Sequence, residues 1–98
     1  MTIEILPRAR EDLVTGFHFY EQQERGLGTY FRDCLFADVE SLRTTAGVHR
    51  EVLGYHRCVS RKFPFAIYYA VSGELVQIHA IFDCRRAPSS LRRRLGDM

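Results

Sequence analysis

The main change of period in the hydrophobic pattern of this 98-residue chain falls at Gly47. Over residues 9–46, apolar residues recur at intervals of three and four, the spacing of one face of an α-helix. After Gly47, apolar and polar residues alternate, as they do in strands with one buried face. A chain with this pattern can bury both apolar surfaces by packing helices on a sheet, so we predict an α+β fold.

The first half of the chain predicts one strand and two helices. Residues 2–6 alternate and end at Pro7, which suits the first turn of a helix. One helix then runs to about Glu24, and a second runs from about Thr29 to Gly47, because glycines interrupt the pattern between them. The apolar faces comprise Ala9, Leu13, Phe17 and Tyr20 in the first helix, and Phe31, Leu35, Val39, Leu42 and Ala46 in the second.

The second half predicts three strands and a short tail. The strands cover about residues 52–60, 63–71 and 75–83, and short turns make an antiparallel meander the natural arrangement. Each of the last two strands has one apolar face, formed by Phe65, Ile67, Tyr69 and Val71 in the middle strand and by Val76, Ile78, Ala80 and Phe82 in the last. Residues 88–90 follow as a turn or helix start, and residues 91–95 as a short basic helix. The helical hairpin covers one sheet face and leaves the other partly open.

We therefore predict a single domain over residues 1–98, consisting of an N-terminal strand, a two-helix hairpin, a three-stranded antiparallel meander and a short basic C-terminal tail. The longest nearly apolar run, residues 63–71, is too short for a transmembrane helix of about 20 residues. The first residues also lack the basic and apolar segments of a signal peptide. These features predict a cytoplasmic protein.

Charge divides the chain near its middle. Residues 1–49 hold five arginines and eight acidic residues, a net charge of −3, whereas residues 50–98 hold nine basic and four acidic residues, a net charge of +5. All basic residues except Lys62 are arginines, which bind phosphates and carboxylates through two parallel hydrogen bonds. The second half is therefore expected to face an anionic partner.

The cysteines and histidines do not indicate a metal site or a disulfide framework. Cys34, Cys58 and Cys84 are odd in number and widely spaced, and no Cys-x-x-Cys pair occurs. The four histidines are equally scattered. We predict reduced structural thiols and no metal or other cofactor.

Three segments together resemble the RelE and ParE superfamily of bacterial toxins, in particular its ParE-like or plasmid-stabilisation branch. They are Gly26-Leu27-Gly28 leading into Phe31 and Leu35, Arg57 ahead of Arg61-Lys62-Phe63-Pro64-Phe65-Ala66-Ile67-Tyr68-Tyr69, and Ile81-Phe82-Asp83-Cys84-Arg85-Arg86-Ala87-Pro88. The resemblance spans almost the whole chain, and the order of strands and helices in that superfamily agrees with the order predicted above.

The resemblance implies a toxin of a type II toxin–antitoxin system, neutralised by a cognate antitoxin that is commonly encoded by the neighbouring gene and folds on binding. ParE-like members act on DNA gyrase, whereas RelE-like members cleave messenger RNA on the ribosome. The antitoxin is expected to be acidic and to bind against the half with net charge +5. A further alternative is a non-toxic homologue, antitoxin-bound or paired with itself as a homodimer, that keeps the fold but not the active tail.

Two sets of residues follow from these alternatives. A gyrase inhibitor would bind its target through Arg61, Lys62, Arg85, Arg86, Arg92, Arg93 and Arg94. An endoribonuclease would use Arg57, Arg61, Asp83 and Arg85, with His56 or His79 as possible helpers. Asp83 beside Arg85 should stay ionised, so it could act as a base but poorly as a proton donor. This incomplete acid–base pair favours the inhibitor.

Three helical residues depart from their apolar faces. Phe19 and Phe36 lie off the main apolar stripes, so we predict exposed aromatic anchors for an antitoxin or for self-association. Asp38 falls near the middle of the second stripe, where a carboxylate needs a partner. We predict that Arg57 of the sheet supplies it.

Overall fold

The computed structural model describes residues 1–96, which form an α+β fold, so the predicted class is confirmed. The elements are β1 (Thr2–Ile5), α1 (Pro7–Gln23), α2 (Leu27–Thr45), β2 (Glu51–Val52), β3 (Tyr55–Val59), β4 (Phe65–Ser72), β5 (Leu75–Asp83) and α3 (Pro88–Gly96). The strands form one sheet in the order β1-β5-β4-β3-β2. β1 pairs in parallel with β5, and the other pairs are antiparallel.

The predicted helical hairpin is present, and Glu21 of α1 is hydrogen-bonded to the start of α2. α1 begins with Pro7 at its first turn, and α2 follows Gly26, whose φ of 89° lies in the left-handed region. The Glu21 carboxylate accepts hydrogen bonds from the backbone N–H groups of Gly26 and Gly28, at 3.0 to 3.1 Å. A carboxylate at this position satisfies free N–H groups at the start of α2 and matches the positive end of its dipole.

The main core lies between this hairpin and one face of the sheet. Its fully buried large side chains are Phe31, Leu35 and Leu42 from α2, Ile67 and Tyr69 from β4, and Val76, Ile78 and Ile81 from β5. Gly28 allows the two helices to approach closely, because a Cβ there would lie 2.5 Å from the backbone oxygen of Phe17. Burial of these apolar faces provides most of the driving force for folding.

The predicted strand over residues 52–60 is wrong as a single strand. The structure divides it into β2 and β3, joined by a tight turn at Leu53 and Gly54 with φ angles of 55° and 86°. Two successive residues with positive φ are what a two-residue hairpin turn requires. The sheet therefore has a short extra edge strand beside β3.

The predicted common face of β5 is also wrong. Tyr68 pairs with Ala80 while Tyr69 pairs with Ile78, so His79 is an extra residue in a β-bulge. Because side chains alternate along a strand, the bulge reverses the faces beyond it. Val76, Ile78 and Ile81 therefore face the helices, whereas Ala80 and Phe82 face the opposite side.

A second, smaller apolar cluster occupies that opposite side. It contains Ala66, Tyr68, Ala80, Phe82 and Leu95, with Val52, Tyr55 and Leu91 packed against it. The last helix, α3, supplies the two leucines and covers part of the face that was expected to be partly open. The basic tail is thus a docked helix, and residues 88–90, predicted as a turn or a helix start, form its beginning.

Candidate functional site

Four cationic side chains gather at one end of the sheet. Phe65 at the start of β4 pairs with Asp83 at the end of β5, and the Cys84 N–H donates to the Pro64 carbonyl at 2.8 Å. The β3–β4 loop and the segment after β5 therefore lie side by side. They carry Arg61, Lys62, Arg85 and Arg86, all exposed, and we call these four residues the basic end.

Arg85 is paired with Asp83 at the basic end. The guanidinium donates from Nε to Oδ1 at 2.9 Å and from Nη2 to Oδ2 at 2.8 Å, and the Arg85 backbone N–H also donates to Oδ1 at 2.9 Å. Hydrogen bonding from the Arg85 side chain holds the pKa of Asp83 below its usual value. The carboxylate is therefore ionised at neutral pH and occupied by its neighbour, as the sequence suggested.

Arg57 lies on the sheet face opposite the α1–α2 hairpin. Its Nε donates to the Tyr68 hydroxyl at 3.0 Å, and its Nη2 lies 3.6 Å from Cys84 Sγ. The hydrogen bond with Tyr68 raises the pKa of Arg57. The predicted ion pair between Arg57 and Asp38 is wrong, because Asp38 belongs to α2, which packs against the other face.

Asp38 instead has a neutral partner. The Ser60 hydroxyl donates to Asp38 Oδ2 at 2.6 Å, and both residues are buried. Ser60 Oγ also accepts from the backbone N–H groups of Lys62 and Phe63, each at 3.4 Å. This chain of hydrogen bonds links α2 to the loop that carries Arg61 and Lys62. A serine at a strand end ahead of a turn was the sequence signal for it.

We expect Ser60→Ala to lower the free energy of unfolding by about 1 to 3 kcal/mol, because it leaves the buried Asp38 carboxylate without its hydrogen bond. Urea denaturation measures the change. Ser72→Ala is the matched control, since Ser72 is exposed at the end of β4 and should change stability by less than about 0.5 kcal/mol. Equal stabilities for the two variants would contradict the assigned role of Ser60.

The three arginines of α3 differ in their surroundings. Arg92 and Arg93 are exposed. Arg94 forms a two-pronged ion pair with Asp12 of α1, with both nitrogen–oxygen distances at 2.8 Å. Only 10% of the Arg94 side chain and 18% of the Asp12 side chain are exposed. Arg94 is therefore unavailable to a partner in this conformation, unlike the two arginines before it.

The candidate helper histidines do not join the basic end. His56 packs on the Tyr69 ring at 5.1 Å on the helix side of the sheet, with its Nδ1 2.7 Å from the His49 carbonyl oxygen. His79 lies in the bulge against the Tyr55 ring at 4.7 Å. The structure thus places His56 on the opposite face from Arg57, and His79 packs against an aromatic ring.

Burial lowers the pKa of His79 and, together with nearby His56, that of His49. In the unfolded chain both titrate near pH 6.5, so the unfolded state binds more protons between that value and the folded pKa. We therefore expect the free energy of unfolding to fall as pH decreases below about 6.5. Denaturation at pH 5 to 8 measures this slope. It should become shallower in His79→Phe, and an unchanged slope in that variant would contradict this role of His79.

An apolar groove of about 1010 Å³ lies elsewhere, between β1, α1 and α2. Its apolar lining consists of Ile3, Ile5, Leu13, Val14, Phe17, Phe36 and Leu75. Arg10 and Arg32 border it. β1 is the outermost strand on this side of the sheet, so its outer backbone edge also faces the groove.

The two predicted aromatic anchors are both exposed, but they lie in different places. Phe36 is 42% exposed and lines the groove. Val14 lines the same groove and is 56% exposed, although the sequence pattern did not indicate it as an anchor. Phe19 is 46% exposed and lines a smaller cleft of about 300 Å³ together with Phe82 and Arg86. The position of Val14 off the apolar stripe of α1 was the signal that could have identified it.

Over residues 1–96, no helix is both long and apolar enough to cross a membrane. In the same range, no three His, Cys, Asp or Glu side chains converge as a group that could hold a metal ion.

Comparison with known proteins identifies the fold. No known family profile matches the chain, and no curated protein sequence does. Among solved structures, it is similar to a chain of the "Chromosomal ParDE TA system from P. aeruginosa", with a TM-score of 0.73 and 21% sequence identity. The match covers 85% of this chain and 95% of the other. The two chains share a fold, and this confirms the fold expected from the resemblance to the RelE and ParE superfamily.

Proposed function

We propose that this protein is the toxin of a type II toxin–antitoxin system and that it inhibits DNA gyrase by binding. Its fold is shared with a chain of a ParDE toxin–antitoxin structure. Its surface also offers two separate partner sites of different chemistry, the apolar groove and the basic end. A toxin that must bind both a neutralising protein and a cellular target requires such surfaces.

The antitoxin site of this proposal is the apolar groove. An extended or helical segment of the antitoxin would place apolar side chains against Val14, Phe17 and Phe36, and acidic side chains near Arg10 and Arg32. The groove belongs mainly to the first half of the chain. It therefore differs from the site that the charge distribution alone favoured, the half with net charge +5.

The target site of this proposal is the basic end together with the exposed arginines of α3, Arg92 and Arg93. The bidentate Asp83–Arg85 ion pair carries the choice of an inhibitor over an enzyme. A carboxylate already hydrogen-bonded to a guanidinium is a weak base, and it has no proton to donate at neutral pH. Binding to an acidic surface needs no proton transfer, and the exposed guanidinium groups of the arginines and the ammonium group of Lys62 suit it.

A supercoiling assay with purified DNA gyrase tests the proposed function. Relaxed plasmid, ATP and gyrase are incubated with increasing amounts of the protein. Supercoiling should stop as toxin is added and should recover when the product of the neighbouring gene, the expected antitoxin, is supplied in excess. Normal supercoiling at a large molar excess of folded toxin would contradict gyrase inhibition.

A second candidate function is cleavage of messenger RNA on the ribosome. It is favoured by Arg57, a partly exposed cation on the face away from the α1–α2 hairpin, which its hydrogen bond to the buried Tyr68 hydroxyl holds in place. Primer extension on messenger RNA from a treated translation extract tests it. Cuts that appear with the wild type and disappear with Arg57→Ala would establish the endonuclease, whereas intact RNA would reject it.

A further inference from the structure

An ion pair joins elements from both sides of the sheet. Asp12 lies on α1, which packs on one face, whereas Arg94 lies on α3, which packs on the other. The ion pair lies beside the part of the β5 edge that no strand covers, because β1 pairs with β5 only as far as Ile78. Both charged side chains are largely buried there.

The same pair also satisfies the backbone at this edge. Asp12 Oδ2 accepts a hydrogen bond from the Ile81 N–H at 2.9 Å, and Arg94 Nη2 donates to the His79 carbonyl at 3.3 Å. The His79 carbonyl belongs to the bulge, and the Ile81 N–H lies two residues beyond it, on the edge of β5 that β1 no longer covers. Unpaired groups of this kind are costly when buried, so Asp12 and Arg94 stabilise the end of β5 as well as each other.

α3 depends on this pair because its other attachments are small. It is nine residues long, and a helix of that length is not stable by itself in water. Leu95 is its one buried residue, and Leu91 is partly buried. Leu91, Leu95 and Arg94 face the sheet, so Arg92 and Arg93 are left on the outer side.

We propose that Asp12 is a positioning residue for the target site. Through Arg94 it holds α3 folded against the sheet, so that Arg92 and Arg93 are presented in a fixed orientation relative to the basic end. The inference rests on the proposed function, since that function makes these two arginines target contacts. It adds that a residue of α1, which does not itself belong to the target site, controls the strength of inhibition.

Hydrogen exchange tests the positioning directly and without any target. Asp12→Asn keeps the size of the side chain and removes its charge. We expect exchange of the amides in residues 88–96 to accelerate at least about tenfold, while the buried amides of α2 and β4 keep their protection. Glu11→Gln is the matched control, because it removes an exposed charge from the preceding position of α1. Arg94→Gln removes the pair from the other side and should behave like Asp12→Asn.

The supercoiling assay supplies the second measurement. Asp12→Asn and Arg94→Gln should weaken inhibition at least about fivefold, and Asp12→Glu, which keeps the carboxylate, should recover part of the loss. Arg93→Gln should weaken inhibition without changing exchange in α3. This contrast separates loss of a contact from loss of position.

The outcomes distinguish the two proposals. Unchanged exchange in α3 for both Asp12→Asn and Arg94→Gln would overturn the positioning role. Faster exchange with undiminished inhibition would also overturn it, although a loss of inhibition in Arg93→Gln would leave the proposed function standing. No inhibition by the wild type would overturn the proposed function and with it the target role of Asp12, while the exchange result would still decide whether the ion pair holds α3.

Discussion

Phe36→Glu is expected to weaken antitoxin binding at least about 30-fold. An aromatic anchor in the middle of an interface is worth about 2 kcal/mol or more, and 1.4 kcal/mol corresponds to a factor of ten in Kd. The glutamate adds a charge that the bound antitoxin would bury in the apolar groove. Titration calorimetry of toxin and antitoxin measures the change. Val14→Glu, which places the same charge in this groove from α1, should have a similar effect.

The control for this prediction is Val48→Glu. Val48 is 75% exposed after the end of α2 and does not line the groove, so the substitution introduces the same charge at a different place. Its effect on antitoxin affinity should be less than about threefold. Phe36→Glu should also remain a potent gyrase inhibitor that the antitoxin no longer rescues. Equal affinities for Phe36→Glu and the wild type would contradict the placement of the antitoxin in the groove.

Reversing the charges of Arg92 and Arg93 is expected to reduce gyrase inhibition at least about tenfold. Charged groups at the rim of an interface guide association and raise association rates by factors of 10 to 1,000. Replacing both arginines with glutamate turns this attraction into repulsion. The toxin concentration that halves the supercoiling rate measures the effect, and raising the salt concentration should reduce the difference between variant and wild type.

A charge control accompanies this prediction too. Arg93→Glu is compared with Arg50→Glu, which changes the net charge equally at an exposed position before β2. Only Arg93→Glu should weaken inhibition. If both single variants weaken it equally, overall charge rather than the α3 surface determines inhibition, and the assigned target site is wrong.

Local sequence patterns predicted which faces of the helices and of β4 are buried, but they did not predict that the side chains of β5 change faces at the bulge. The helical stripes through Leu13 and Leu35 and the alternation in β4 reflect burial against one continuous surface, which a sequence pattern records directly. The alternation from Val76 to Phe82 continues through the bulge at His79, so it suggests one face where there are two. Asp12 and Arg94, far from each other in sequence, hold the bulge by contacts that no local pattern shows.

The sequence indicated which residues of the candidate site are exposed or ionised better than it indicated which partner each residue contacts. The exposure of Phe19 and Phe36 and the ionised state of Asp83 could be inferred from spacing and neighbours. The three arginines of α3 look alike in the sequence, and only the fold shows that Arg94 is buried in an ion pair. The partner of Asp38 was missed for the same reason, because the choice between Ser60 and Arg57 depends on which sheet face each occupies.

Growth of a bacterial culture after induction of this chain alone separates gyrase inhibition from messenger RNA cleavage and from a lack of toxicity. A DNA-damage reporter and a translation-rate label are read in the same cells, with co-expression of the neighbouring gene as the control. A gyrase inhibitor should cause growth arrest in which the damage signal rises before translation falls, and growth should recover when the antitoxin is present. Arrest in which translation falls first, or unimpaired growth with soluble toxin present, would contradict gyrase inhibition.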